Sequence, residues 1–252
     1  MNRQENSPKI FANSVPKSGT NLLIQILLAI PGISKFPKGY FGGIYNYNFS
    51  QLIKLENGQM AYGHVNYTPE RADIIDTLGI KHIFISRDLR DVIVSYAHFI
   101  MDKNHEHELY DYFSNTLQSH SDRLMVLIEG TNLSYGKYPS TYELFRPIYD
   151  WRNTPNTCSV RFEDLMLDNT TKRKTLYKIV QFLWEDLQYL GLSQQEVVEN
   201  MIRNINPEAS FTFRKGKIGS WKEEFTEAHK EAFKKVAGKF LIELGYEKDY
   251  DW

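Results

Sequence analysis

One cysteine, Cys158, in 252 residues leaves no partner for a disulfide and no thiolate set for a Cys-based zinc cluster. A lone thiol of this kind reads as a small buried side chain in a reducing compartment. An excess of one charge is missing too: 30 Lys and Arg face 31 Asp and Glu, a formal net charge of −1. That excludes the global positive field of a general nucleic-acid binder, so any anion site must be local. Long apolar runs are absent. The most apolar stretch, Leu22 to Ile30, contains Gln25 and stops at Pro31-Gly32, well short of the roughly 20 residues that cross a bilayer. Met1 to Pro8 is polar, with no apolar core behind a basic start, so no secretory signal is expected and the chain is assigned to the cytoplasm. Low-complexity tracts and internal repeats are lacking as well. What remains, 42% apolar and 14% aromatic residues, is ample for one folded domain spanning residues 1–252.

The pattern along the chain alternates strands with helices. Lys9 to Val15 reads as a buried strand, followed by a tight loop, Pro16 to Thr20, and an apolar helix from Asn21 to about Ile30. Met60 to Val65 reads as a second short strand. Thr68-Pro69-Glu70 supplies a helix start, with Thr as cap and Pro at the first helical position. Lys81 to Ser86, rich in Ile and Phe, fits a strand buried on both faces and precedes a helix from Leu89 to Asp102. His105 to Trp151 is helical in pattern, with a break at Gly130 to Ser140. A strand at Asn156 to Phe162, helices at Thr171 to Leu187 and Ser193 to Asn204, a loop at Asn206 to Lys222 and a last helix from Thr226 to Leu244 complete the chain. Strands separated by helices imply an α/β sandwich around a central parallel sheet, with its ligand crevice at the carboxyl ends of the strands.

Three segments carry anion chemistry. In the first, Lys17-Ser18-Gly19-Thr20-Asn21 stands where a strand turns into a helix, so free backbone N–H groups, a lysine and two hydroxyls converge. It is not a Walker A sequence, because Lys17 precedes Gly19 and the first glycine of that motif is missing. The second pairs Arg87, at a strand end, with Ser95 eight residues on. Taken alone, Arg87 is better read as the partner of Asp88 or Asp91 in a solvated helix cap. The third, Arg214-Lys215-Gly216-Lys217-Ile218-Gly219-Ser220-Trp221-Lys222, sets four cations among two glycines beside a tryptophan of buried type.

In order and spacing, these three segments resemble the nucleotide-binding signatures of sulfotransferases that use 3′-phosphoadenosine 5′-phosphosulfate. Phe162-Glu163-Asp164-Leu165 is similar to that family's Tyr-Glu-Asp-Leu segment. The resemblance implies that Lys17, Ser18, Gly19, Thr20 and Asn21 hold the 5′-phosphosulfate. It assigns the 3′-phosphate to Arg87, Ser95, Arg214, Lys215 and Gly216. His64, in Tyr62-Gly63-His64-Val65, matches the family's catalytic base after the second strand, with Glu70 as an alternative, and Lys17 stabilises the leaving group. Two positions depart from the family pattern. Tyr62 stands where the cytosolic branch has a lysine, and Leu22 where it has an adenine-stacking tryptophan, which leaves stacking to Phe162 or Phe211.

The implied reaction is in-line transfer of a sulfuryl group to a hydroxyl or amine of a small-molecule acceptor. 3′-Phosphoadenosine 5′-phosphate would be the product, and no metal ion, nucleic acid or membrane would take part. The aromatic segment Tyr40 to Tyr47 and the acidic stretch Asp102 to Asp111 are the candidate acceptor walls, suited to an aromatic-packed or a cationic molecule. A P-loop kinase or NTPase, and a nucleotide-binding module without catalysis, are the alternatives. Among the other histidines, His82 reads as structural, and His105 and His107 as solvated.

Overall fold

A computed structural model of the chain describes residues 7–42, 49–210 and 216–252. Among the described residues, seven strands occur in chain order: β1 (Lys9–Ser14), β2 (Ser34–Phe41), β3 (Gln59–Gly63), β4 (Ile80–Ser86), β5 (Thr131–Leu133), β6 (Gly136–Tyr138) and β7 (Thr157–Arg161). The helices are α1 (Thr20–Leu28), α2 (Pro69–Thr77), α3 (Leu89–Lys103), α4 (Tyr110–Asn115), α5 (His120–Glu129), α6 (Thr141–Tyr149), α7 (Phe162–Met166), α8 (Asn169–Leu183), α9 (Gln194–Asn204), α10 (Trp221–Glu224), α11 (Glu227–Phe233) and α12 (Lys239–Glu243). They form two compact units. One consists of the chain up to Ser86 with Pro147–Gly216, the other of Arg87–Arg146 with Lys217–Trp252.

The first unit is built on a five-stranded parallel sheet of order β2-β3-β1-β4-β7, flanked by helices. The parallel α/β sheet expected from the alternation of elements is therefore present. Ile10, Phe11 and Ala12 of β1 and Ile83, Phe84 and Ile85 of β4 are fully buried, as a central strand covered on both faces requires. From β1 the chain crosses to β2 and β3 on one side, then returns from β3 to β4 on the other. Right-handed crossovers put the connecting helices on opposite faces, and the reversal makes the carboxyl end of β1 the switch point of the sheet. The start of α2 is as the sequence reads: Thr68 accepts from the Arg71 amide and Pro69 follows it. Ser193 caps α9 in a reciprocal pair with Glu196.

β2 is an addition to the strands read from sequence, so His64 follows the third strand rather than the second. Its Pro37, Gly39 and lysines look like a loop, but β2 is an edge strand with one neighbour, where a proline removes no essential hydrogen bond. In the second unit, the break at Gly130 to Ser140 contains the antiparallel pair β5 and β6. The last helix runs as expected but passes through a π-helical segment, Lys234–Gly238, between α11 and α12.

Candidate functional site

At the switch point, β1 ends in Ser14 and the chain makes a tight turn closed by the Ser18 amide donating to the Val15 carbonyl at 3.1 Å. Pro16 sets the first φ of that turn. Lys17, at φ +65°, takes the left-handed position usually left to glycine, a backbone conformation that the turn imposes. Gly19, at φ +99°, stands at the N-cap of α1, which has no side-chain cap, and a helix N-terminus of this kind suits an anion. A Cβ on Gly19 would fall 2.8 Å from Cδ2 of Phe162 and 3.4 Å from Cδ1 of Ile85. The loop thus rests directly on these two side chains. Ser18 Oγ is buried and has no hydrogen-bond partner among the described residues, an open donor in the centre of the turn. These features, a lysine, an orphaned hydroxyl and an uncapped helix start, fit a phosphosulfate.

His64 is fixed from three directions. Gly63 lets β2 approach so closely that a Cβ would lie 2.0 Å from the Phe41 carbonyl oxygen, and that oxygen accepts the His64 amide at 2.9 Å. On the other side, Asn13 brackets the next residue, donating to the Val65 carbonyl at 3.1 Å and accepting the Val65 amide at 2.9 Å. Trp151 Nε1 adds a 2.7 Å bond to the same carbonyl. The ring itself is set by Ser14, whose carbonyl lies 2.9 Å and whose Oγ lies 3.0 Å from Nδ1. A carbonyl only accepts, so Nδ1 carries the proton and Nε2 of the neutral imidazole carries the lone pair. Burial, and secondarily the Lys17 ammonium, push the imidazole down to about 4 against the opposing bond to Ser14. Ser14 Oγ is also 2.8 Å from Thr20 Oγ1, which joins the histidine to the first residue of α1.

Around His64, the Tyr40 ring meets the imidazole edge-on at 6.0 Å and the Tyr62 ring at 5.7 Å. Tyr62, in the expected lysine position, carries Lys35 Nζ 5.7 Å above its ring. Glu70 is exposed in the first turn of α2, where its own amide and the Thr68 hydroxyl hold its carboxyl below the usual range, which weakens it as a base. Asn21 donates to Ser210 Oγ at 2.8 Å. Gln25 exchanges bonds with both the amide and the carbonyl of Asn206, tying α1 to the segment after α9.

In the second unit, Arg87 directly follows β4 in the chain. Its pairing with Asp91, at 3.4 Å, is the partnership read from sequence, but both side chains are buried rather than solvated. Arg87 also donates to the Lys217 carbonyl at 2.7 Å. Asp91 accepts from the Gly219 amide at 2.8 Å and the Trp221 amide at 3.0 Å, so one carboxylate gathers Arg87 and the glycine-containing turn. Burial raises the Asp91 pKa against these partners. Ser95 lies half-buried on α3, and Gly216 takes φ +59°. Arg214, Lys215 and Phe211 lie outside the described residues, as do Gly43 to Tyr47 of the aromatic segment. Phe162 is 6% exposed with its ring edge against Gly19, and a buried ring offers little face to adenine. Its place is beneath the loop.

His82 is structural as expected. It is fully buried, bonded to Thr157 at 2.7 Å and pushed down to about 3 by burial. His105 is exposed, but His107 differs from its solvated reading: it bonds Tyr96 at 2.8 Å and burial lowers it to about 4. Cys158 is buried, which raises its thiol to about 11. Asn13, Ser14 and Asp91 were not singled out as site residues from the sequence. The available signal was two polar side chains in a strand otherwise buried on both faces, where a polar group must find a partner.

The profile of the sulfotransferase domain matches residues 7–245. A 3-alpha-hydroxysteroid sulfotransferase of Cavia porcellus is 30% identical over 88% of this chain and 79% of its own length. Sulfotransferase 2A6 of Rattus norvegicus is 28% identical over 88% and 80%. Among solved structures, mouse sulfotransferase SULT7A1 complexed with PAP superposes with a TM-score of 0.64 at 20% identity, over 94% of this chain and 84% of that one. Retinol dehydratase in complex with androsterone and inactive cofactor PAP gives 0.58 at 16% identity, over 95% and 83%. With the domain profile covering nearly its whole length, the chain belongs to the sulfotransferase family.

Proposed function

We propose that this sulfotransferase uses His64 as the general base and Lys17 as the cation on the leaving group, passing a sulfuryl group to a hydroxyl or amine of a small-molecule acceptor. 3′-Phosphoadenosine 5′-phosphosulfate supplies the activated sulfuryl group when bound. Lys17, Ser18, Gly19, Thr20 and Asn21 hold its 5′ end, and Arg87, Ser95, Arg214, Lys215 and Gly216 its 3′-phosphate. The observation that carries the reading is the shared use of Ser14: its carbonyl orients His64 and its hydroxyl touches Thr20, so base and anion loop are anchored to one residue. His64 Nε2 takes the acceptor proton. Lys17 and the first-turn amides of α1 meet the charge that develops on the leaving group. No step calls for a metal ion.

The acceptor is best sought among apolar alcohols. Tyr40 and Tyr62 set aromatic surface beside His64, and the hydroxysteroid sulfotransferase that this chain resembles is named for such substrates. The acidic stretch Asp102 to Asp111 would suit a cationic acceptor instead. A cytoplasmic setting is part of the proposal, supported by the single buried thiol. No described helix is long and apolar enough to cross a membrane.

The test is calorimetry with 3′-phosphoadenosine 5′-phosphate against ATP. The bisphosphate should bind and ATP should bind poorly, and Arg87→Ala should weaken the bisphosphate by about 1.5–3 kcal/mol through loss of a charge-assisted bond. Equal affinity for ATP would overturn the donor assignment and favour a phosphoryl-transfer reading.

A further inference from the structure

Away from the anion loop, three side chains of the second unit converge without a role in sulfuryl transfer. His98 stands on α3, His120 opens α5, and Glu224 ends α10. Nε2 of each histidine lies 2.9 Å from the same carboxylate oxygen, Oε2 of Glu224. The two rings stack at 4.4 Å with 30° between their planes. The ligand atoms all lie within 4.8 Å of one another, and the side chains are 28%, 32% and 18% exposed, sheltered yet reachable from solvent.

We propose that His98, His120 and Glu224 bind a divalent transition-metal ion, zinc by preference, which fastens α10 to α3 and α5. Two imidazole nitrogens and one carboxylate are a zinc donor set, whereas calcium and magnesium call for oxygen ligands. With Zn–N and Zn–O bonds of about 2.0–2.2 Å, tetrahedral ligands lie roughly 3.3 Å apart, so the 2.9 Å contacts need to open by only a few tenths of an ångström. Binding would exchange two imidazole N–H bonds to one oxygen for three metal–ligand bonds, each neutral ring moving its proton from Nε2 to Nδ1 through solvent. Water would fill the fourth position. Asp102 Oδ2, 3.9 Å from His98 Nδ1, is placed to orient that ring from behind once the metal holds its other nitrogen.

The ligands come from three helices and are separated by 22 and 104 residues, so the site exists only in the folded chain. His98 lies nine residues beyond the start of α3, about 14 Å along the helix, which separates the site from Arg87. Its effect on the donor site is mechanical. Asp91 already holds the Gly219 and Trp221 amides, and a metal at Glu224 adds a second anchor to the same α3 three residues past Trp221.

The experiment is titration of the chelator-stripped full chain with zinc chloride, and separately with magnesium chloride, followed by calorimetry and thermal melting. Zinc should bind with one equivalent at micromolar or tighter affinity and raise Tm, while magnesium should do neither. Cobalt(II) in place of zinc should give the intense visible absorption of a tetrahedral site. His120→Ala and Glu224→Gln, checked for folding by circular dichroism, should each lose at least tenfold in zinc affinity. Absence of zinc uptake, or affinity unchanged in His98→Ala, His120→Ala and Glu224→Gln alike, would overturn the site. Equal uptake of magnesium would overturn the assignment to a nitrogen-ligated metal. Because none of the three side chains belongs to the proposed donor site, calorimetry with 3′-phosphoadenosine 5′-phosphate reads that proposal separately.

Discussion

The side-chain amide of Asn13 pairs with the Val65 peptide as a neighbouring strand would, with Nδ2 donating to its carbonyl at 3.1 Å and Oδ1 accepting its amide at 2.9 Å. Oδ1 also accepts the Ser14 amide at 3.1 Å. The pairing of β1 with β3 is thereby carried past Gly63, and His64 is held on both flanks. Asn13→Ala should take the acceptor from the buried Val65 amide, while the Val65 carbonyl keeps Trp151 Nε1, and cost about 1–3 kcal/mol in denaturant unfolding. It should also lower kcat well below what a fall in folded fraction explains, with binding of 3′-phosphoadenosine 5′-phosphate nearly unchanged.

For His64, single-turnover transfer by the folded His64→Ala protein should slow by roughly 10²–10⁴-fold, the usual range for a positioned base. Near-normal rates would remove it from the mechanism. The NMR titration of its ring in the free protein should centre near 4 rather than 6.5. Since His64, His82 and His107 are all held below their unfolded value, the unfolded chain binds more protons between about pH 4 and 6.5. Their contribution to stability is therefore complete above pH 6.5 and is lost as pH falls toward 4. Melting curves across that range check the sign.

Gly19→Ala meets two penalties, a φ of +99° and a contact of 2.8 Å with the Phe162 ring. Affinity for 3′-phosphoadenosine 5′-phosphate should fall at least tenfold, because the turn that presents Ser18 and the α1 amides must shift. Phe162→Leu in the same background should recover part of the loss by removing the contact, but not the part due to φ. Calorimetry on the single and double variants separates the two.

Arg90 is 2% exposed, paired with Asp88 at 2.7 Å and Glu247 at 2.5 Å, with its guanidinium 3.9 Å from the Trp221 ring centroid and 4.4 Å from that of Trp252. Removing it takes the guanidinium from two carboxylates and from two indole rings, and leaves Asp88 with the backbone amide at position 90. Arg90→Ala should destabilise by about 3–5 kcal/mol in chemical denaturation. Arg90→Lys should recover little, since an ammonium neither forks between two carboxylates nor stacks flat on indole.

Turnover should survive excess EDTA, because Lys17 and backbone amides are assigned the charge that magnesium neutralises in phosphoryl-transfer enzymes. Chelation should lower Tm through the His98, His120 and Glu224 site without abolishing the rate. A rate that collapses and returns with magnesium would revive the kinase reading.

The strands around the switch point were legible because their residues carry local signals. Ile10-Phe11-Ala12 and Ile83-Phe84-Ile85 are continuous apolar runs, and Thr68-Pro69 and Ser193 with Glu196 are complete helix starts. β2 was not, since an edge strand tolerates a proline and polar residues and so shows little of the apolar run that marks a central strand. Within the candidate site, Lys17, Gly19 and His64 could be named because they sit in short ordered motifs. The contacts that set their geometry could not: Ser14 with His64 spans 50 residues, Asp91 with Trp221 spans 130, and His120 with Glu224 spans 104. Such pairs follow from topology, which no local window of sequence contains.

With His64 as the proposed base, the bond from its Nδ1 to the Ser14 carbonyl would also act as a filter on what is sulfated. With Nε2 presenting a lone pair, a hydroxyl can approach by donating its hydrogen, whereas a ketone or ether of the same shape brings only oxygen lone pairs and is repelled. The filter reverses after transfer. While the ring still holds the proton it has taken, Nε2–H can donate to the sulfate ester. Once that proton leaves, two lone pairs would face each other and the product would lose its hold, so a ring that selects an alcohol in this way would also help to expel its ester.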